Sequence, residues 1–232
     1  MEIDRHIGYI GPDKYFEYIK KVIGNKGTML DMKDRVNSGE RSSELLLTLA
    51  KKYQDRNENA LALEYYTQAL EGSNISLDGT IEARFFIASQ ELLNGSDKAL
   101  WDFIKMYPDS YRSIDGLYNL INFYLGSGRI DDEVKAYNAA IEKLSNDPMF
   151  LNAYAWRMGE LEKNLDKGLD AGKQALSLEI HPIKKSSIYD TVAELFWKLD
   201  QPDSAVWYID RAIEIDSSRK HFILQKQKFI NR

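Results

Sequence analysis

Apolar positions along this chain recur mostly at helical spacing. In residues 186–219, Tyr189, Val192, Ala193 and Phe196 fall at i, i+3, i+4 and i+7, one face of a helix. Gln201-Pro202-Asp203 interrupts that pattern, because proline lacks an N–H and disfavours helix in the residue before it. Asp203 is placed to cap a second helix, whose inner stripe is Ala205, Ile209 and Ala212. Ala193, Ala205 and Ala212 stand where two helix axes must approach closely. The segment predicts two amphipathic helices joined by a tight turn.

The same offsets occur upstream. Residues 43–76 carry Leu46, Leu49, Ala50 and Tyr53, then Ala62, Tyr66, Ala69 and Leu70, turning at Arg56-Asn57-Glu58-Asn59. Residues 80–108 hold a degenerate pair, Ala83, Phe86, Ile87 and Leu92, then Ala99, Phe103 and Met106, with Ser96 or Asp97 as N-cap. Residues 114–147 repeat the pattern with Leu117, Leu120, Ile121 and Tyr124, then Tyr137, Ala140 and Ile141. Residues 149–178 follow with Leu151, Tyr154, Ala155 and Met158, then Ala171, Ala175 and Leu176. Tyr53 to Tyr124 is 71 residues and Tyr124 to Phe196 is 72; Ala69, Ala140 and Ala212 are spaced identically. Residues 219–232 form a final amphipathic helix whose Lys and Gln residues suit a capping helix.

The first 25 residues read differently. Ile3, Ile7 and Ile10 follow the alternation of a strand, and Gly11-Pro12-Asp13 is a turn with proline suited to a helix N1 position. Tyr15, Phe16, Ile19, Val22 and Ile23 then form a helical face ending at Gly24-Asn25. A connector, residues 26–42, contains a short helix from Met29 to Val36.

The alternation of aromatic and small residues over about 34 positions resembles the tetratricopeptide repeat, TPR. Two such periods are about 68 residues, so each doublet here carries only a few extra. The resemblance implies an all-α, right-handed TPR-like α-α superhelix (a solenoid). About five helix pairs would span residues 43–218. The N-terminal stretch RHIGYIGPDKYFEYIKKVI resembles the last strand and last helix of a thioredoxin-like domain, with Gly8 after the strand and Phe16 and Ile19 on the helix face. The connector TMLDMKDRVNSGERSSELLLTLAKKYQDRNE is similar to that of bacterial thioredoxin-family proteins bearing helical repeats. That resemblance implies the C-terminal part of a longer protein, or a homologue without the catalytic half. The family's Cys-x-x-Cys motif is missing, since the chain has no cysteine, so no redox residue carries over.

Composition narrows the chemistry. With 44% hydrophobic and 29% charged residues, the chain suits a protein with a substantial core. Its net charge is −5 and no Lys/Arg stripe stands out, so nucleic acid is not an expected partner. No apolar run approaches the ~18 residues of a membrane span, so membrane insertion is not expected. MEIDRHIGYI has no basic region followed by an apolar block, so no signal peptide is predicted. Either a cytoplasmic or a periplasmic location fits. The absence of cysteine excludes disulfides and thiolate catalysis in this chain.

His6, His181 and His221 are far apart and lack ligand spacing, so neither a metal nor another cofactor is expected. Gly126-Ser127-Gly128 reads as a turn, because no strand precedes it and no Gly-Lys-Ser/Thr follows. Asp131-Asp132-Glu133 and the Asp200/Asp203 pair are read as helix-start charges that favour the N-terminal dipole. The aromatic stripe of Tyr53, Tyr66, Tyr124, Tyr137 and Phe196 is read as core.

In TPR-like pairs the first helix of each repeat lines a groove. The positions beside the inner stripe there are Leu47, Lys51, Tyr118, Asn122, Asn152, Trp156, Asp190, Glu194 and Trp197. Asn suits a peptide backbone and Trp can anchor an apolar side chain. Asp190 and Glu194 would repel a carboxylate terminus, so no carboxylate clamp is predicted. The expected function is a non-enzymatic interaction module for a protein or peptide partner, monomeric or weakly dimeric. The alternative is the substrate-presenting arm of a thioredoxin-like oxidoreductase.

Overall fold

The computed structural model of the chain describes residues 3–5, 8–179 and 181–231. Among the described residues there are thirteen α-helices and no strand. They fall into two compact units, Met1–Leu120 and Ile121–Arg232. The first holds α1 (Pro12–Ile23), α2 (Met29–Asn37), α3 (Ser43–Gln54), α4 (Asn59–Leu70), α5 (Leu77–Leu93), α6 (Lys98–Met106) and the start of α7 (Tyr111–Ser127). The second holds the rest of α7, then α8 (Ile130–Lys143), α9 (Pro148–Leu161), α10 (Leu165–Leu178), α11 (Pro182–Lys198), α12 (Pro202–Ile215) and α13 (Lys220–Ile230).

Local chemistry sets the helix boundaries. Thr28 Oγ1 accepts from Asp31 N–H to open α2, and Asp147 Oδ1 accepts from Met149 and Phe150 to open α9. Proline stands at the start of α9, α11 and α12, where the missing N–H costs nothing. The turns within the pairs are tight enough to need left-handed residues. Asn57 has φ 59° and Asp200 φ 62°, while Glu162 and Asn164, at φ 51° and 49°, frame the short link between α9 and α10. Asp203 does not cap α12 as the sequence predicts. Gln201 takes the N-cap position and Asp203 lies in the first turn, beside the helix dipole's positive end.

The inner stripes are core. In the first unit Leu46, Leu49, Ala50, Tyr53, Ala62, Tyr66 and Ala69 are buried in one cluster with Met29, Met32 and Val36 of α2. In the second, Tyr154, Ala155, Met158, Val192, Ala193, Ala205, Ile209 and Ala212 are buried in another. Gly172 on α10 permits a close approach: a Cβ there would lie 2.7 Å from Val192 Cγ2. In α6 the buried residues are Leu100, Phe103 and Ile104, at i, i+3 and i+4, whereas Met106 is exposed. Of the expected Ala99, Phe103 and Met106, only Phe103 is buried; Leu100 and Ile104 take the other core places.

Among the described residues the N-terminal strand is not formed. Residues 3–5 and 8–10 are irregular, and His6 and Ile7 lie outside the described residues. A lone strand leaves its backbone groups unpaired. Here Ile3 C=O accepts instead from Leu30 N–H in the first turn of α2, one of the donors every helix start leaves open. Asp4 binds Lys52 Nζ at 2.7 Å. Helix α1 forms as predicted, yet it has no buried residue; Phe16 and Ile23 are exposed, and Tyr18, Ile19 and Val22 are half-buried. At the other end, Phe222 and Phe229 of α13 are buried to 1% exposure or less, while Ile223, Leu224 and Ile230 stay exposed. No helix among the described residues is long and apolar enough to cross a membrane.

Candidate functional site

A cleft of about 530 Å³ opens in the first unit between α3, α5 and α7. Gln54 and Asp55 at the end of α3, with Asn57 and Asn59 of the following turn and helix, form one wall. Glu82, Phe85, Phe86, Ser89 and Gln90 of α5 form the floor, and Arg112 and Asn119 of α7 close the far side. The α5 residues fall at i, i+3, i+4, i+7 and i+8, so one helical face supplies them all.

The cleft is braced by charge. Arg112 donates to Glu82 through both Nε (2.9 Å) and Nη2 (2.6 Å), and through Nη1 to Asp115 (3.0 Å). Tyr111 Oη donates to the same Glu82 carboxylate at 2.5 Å. The guanidinium also lies 5.1 Å from the Phe85 ring centroid and 4.8 Å from that of Tyr111. Burial pushes the Glu82 carboxyl up, but the Arg112 and Tyr111 donors and the nearby Lys51 charge outweigh it and hold it below the usual range. The same pairing raises Arg112. Tyr66, pushed up to about 12 by burial, donates to Gln54 Oε1 at 2.7 Å and fixes that amide at the rim.

The arrangement suits uncharged ligand groups. Arg112 is engaged on three nitrogens, so it braces the wall and is not an open anion receptor. The amides of Asn57, Asn59, Gln90 and Asn119 offer both donors and acceptors. Ser89 Oγ is buried without a hydrogen-bond partner. Phe85 and Phe86 give an apolar floor, secured from behind by Phe103 (5.5 Å between centroids) and Tyr66 (4.9 Å).

The residues picked out in the sequence go to different places. Leu47 is half-buried and packs over Gly79, where a Cβ would come within 2.5 Å of Leu47 Cδ1; it belongs to the core edge. Lys51 is exposed and contributes to the field at Glu82. Tyr118 and Trp156 are about two-fifths exposed, at 41% and 40%, and Asn122 is exposed. Asn152, one turn before Trp156 on α9, has a buried Oδ1 with no hydrogen-bond partner.

Asp190, Glu194 and Trp197 do not form an open acidic wall. Asp190 is 7% exposed and lies 3.0 Å from His221 Nε2. Glu194 accepts from Gln225 at 3.1 Å and from Lys228 at 2.7 Å, and Lys228 Nζ sits 3.9 Å from the Trp197 ring centroid. Helix α13 covers all three. The helix-start acids also differ in role: Asp132 binds Arg129 and Asp131 binds Lys163, but Glu133 is buried against Arg157. Sequence reasoning missed Glu82, Phe85, Ser89 and Arg112. Arg112 lies before the predicted repeat start at 114, because α7 begins a turn earlier, after Pro108-Asp109-Ser110.

No protein-family model matches the chain, and no curated protein is similar to it. Solved structures are. YrrB, described as a TPR protein with an unusual peptide-binding site, is 14% identical, with 84% of this chain and 97% of that chain covered and a TM-score of 0.53. MamA is 14% identical, with 77% and 94% covered and a TM-score of 0.50. At such identity the likeness establishes the fold, an all-α, TPR-like array of helix pairs.

Proposed function

We propose that this chain is a non-enzymatic interaction module that holds an extended segment of a partner protein in the α3–α5–α7 cleft. The observation that carries the reading is the pairing of an aromatic floor with amide walls around a braced Arg112. Backbone amides of an extended peptide would pair with Asn57, Gln90 and Asn119, and an apolar side chain would sit on Phe85. YrrB's described peptide-binding site supports the same use of this fold. Lys51 and Tyr118 are proposed as outer contacts in the first unit. In the second, Asn152 and Trp156 on α9, with Asn122, are proposed as a further contact, since an amide and an anchor ring stand one turn apart.

The test is selection of peptides from a displayed random library on the immobilised chain. Peptides so selected should bind Asn119→Ala and Phe85→Ala chains at least tenfold more weakly while helical circular dichroism is kept. Equal binding to both variants would sink the cleft assignment. Loss with Trp156→Ala alone would move the site to α9.

A second reading rests on α1. Part of its apolar face, Tyr15, Phe16 and Ile23, is exposed, and its sequence resembles the last helix of a thioredoxin-like domain. We propose that such a domain, supplied by a longer gene product, seats on this face, with the helical repeats as its substrate-presenting arm. The discriminating observation is the encoding sequence upstream of Met1. A Cys-x-x-Cys about one hundred residues earlier, one small domain away, supports this reading, and an immediate stop codon removes it.

A further inference from the structure

Helix α13 meets α11 in matched register. His221, Gln225 and Lys228, at i, i+4 and i+7, face Asp190, Glu194 and Trp197 at the same spacing. Lys228 Nζ reaches both Glu194 oxygens at 2.7 Å while lying over the Trp197 ring. Phe222 and Phe229, seven residues apart, fill the apolar part of the contact, and the Phe229 ring centroid is 6.1 Å from that of Trp197. This face of α11 therefore receives the one Lys228 ammonium between Glu194 and Trp197, the His221 ring at Asp190, and apolar side chains alongside.

The resident helix is an incomplete match. Asp190 Oδ1 and Trp197 Nε1 are both buried without a hydrogen-bond partner, an acceptor and a donor left over on the receiving face. A buried polar atom without a partner loses its water and gains nothing in exchange. Both belong to α11, so a different helix could satisfy them. The charge on the face selects sign: Asp190 and Glu194 are nearly buried carboxyls one turn apart, which favour a basic occupant and repel an acidic one.

We propose that the Asp190–Glu194–Trp197 face of α11 is an acceptor for a basic amphipathic helix of a partner protein, and that α13 is its exchangeable resident. The fitting partner carries Lys or Arg at the Lys228 position, aromatic or aliphatic residues at the Phe222 and Phe229 positions, and a donor that reaches Asp190 Oδ1. This site is independent of the α3–α5–α7 cleft and stands or falls separately from it.

The probe is a labelled synthetic peptide of residues 217–232, titrated into the full chain by fluorescence anisotropy. A tethered α13 competes at an effective concentration of about millimolar, so the unaltered chain should bind the peptide only weakly. The Lys228→Glu chain, whose own helix is repelled by Glu194, should bind it at least tenfold more tightly. A peptide with glutamate at both the His221 and Lys228 positions should bind neither chain. Where Lys228→Glu reduces the helical signal, the milder His221→Ala chain replaces it, with the same direction expected. Folded variants that show no saturable binding up to millimolar peptide overturn the proposal. Dimers of the Lys228→Glu and unaltered chains in sedimentation, formed without added peptide, would make a second copy the occupant and overturn the assignment to a partner.

Discussion

Arg157 holds the Glu133 carboxylate by two hydrogen bonds, Nε to Oε1 at 2.6 Å and Nη2 to Oε2 at 2.9 Å, with Glu133 only 1% exposed. Arg157 Nη1 also reaches Glu160 at 3.0 Å. The pair ties the first turn of α8 to the middle of α9. Removing one member strands a buried charge, which costs more than the intact pair contributes. Arg157→Ala should therefore destabilise the chain by about 3–5 kcal/mol. The double variant Glu133→Gln/Arg157→Met should recover most of that loss. Chemical denaturation of the three chains measures both.

Two carboxyls make opposite contributions to the pH dependence. Glu82 is held below its usual range in the fold, so the unfolded chain binds more protons and Glu82 stabilises the fold above its unfolded value, about 4.3. That contribution drains away as pH falls through the folded value. Glu82→Gln should be less stable than the unaltered chain at neutral pH, with the gap closing in acid. Burial raises Asp190, against the pull of His221, so the folded chain binds more protons there and Asp190 weakens the fold as pH rises through that value. Asp190→Asn should thus gain stability relative to the unaltered chain on going from acid to neutral pH. Thermal melts from about pH 3 to 7 test both signs.

Glycine positions separate packing from propensity. Gly172 lies in α10 with Val192 Cγ2 2.7 Å from where a Cβ would be, and the β-branched Val192 cannot easily yield. Gly172→Ala should cost about 1–3 kcal/mol from overpacking, more than the ~1 kcal/mol gained in helix propensity. Val192→Ala in the same chain should remove that overpacking cost. Gly126 in α7 has nothing within 4 Å of its virtual Cβ, so Gly126→Ala should stabilise by about 0.5–1 kcal/mol.

Helix α1 should tolerate change in this chain. With no buried residue to lose, Phe16→Ser should shift stability by less than about 0.5 kcal/mol. In a longer gene product whose preceding domain seats on α1, the same change should cost about 2 kcal/mol or more. Denaturation midpoints of the two proteins compare the cases directly.

The helix pairs were legible because their inner positions obey two independent rules. Leu46, Ala50 and Tyr53, or Val192, Ala193 and Phe196, satisfy helical spacing and alternate bulk with smallness where axes cross. No strand forms among the described residues of 3–10, because apolar alternation there means nothing without a neighbouring strand to bond, and Ile10 falls out of phase with Ile3. In α6 Phe103 was read correctly, but Leu100 and Ile104 take the core places given to Ala99 and Met106, because the larger aliphatic side chains bury more apolar surface than Ala99. The cover over Asp190 and Glu194 was not legible, for a different reason. Their position beside the stripe was legible, but their cover by α13 depends on a contact about thirty residues away in sequence. Arg112 and Glu82 were invisible on the same ground, since a pair thirty residues apart leaves no local pattern.

Lys228 above the Trp197 ring has a spectroscopic consequence. An ammonium 3.9 Å from an indole centroid perturbs the dipole change on excitation, so the emission of that one tryptophan reads out the local charge. The chain has four tryptophans, and replacing Trp101, Trp156 and Trp207 by phenylalanine leaves a single emitter at the α11–α13 contact. Departure of α13 would move the emission maximum and open the ring to quenchers. The residue that the helix covers is thereby an intrinsic optical gauge of whether the cover is closed.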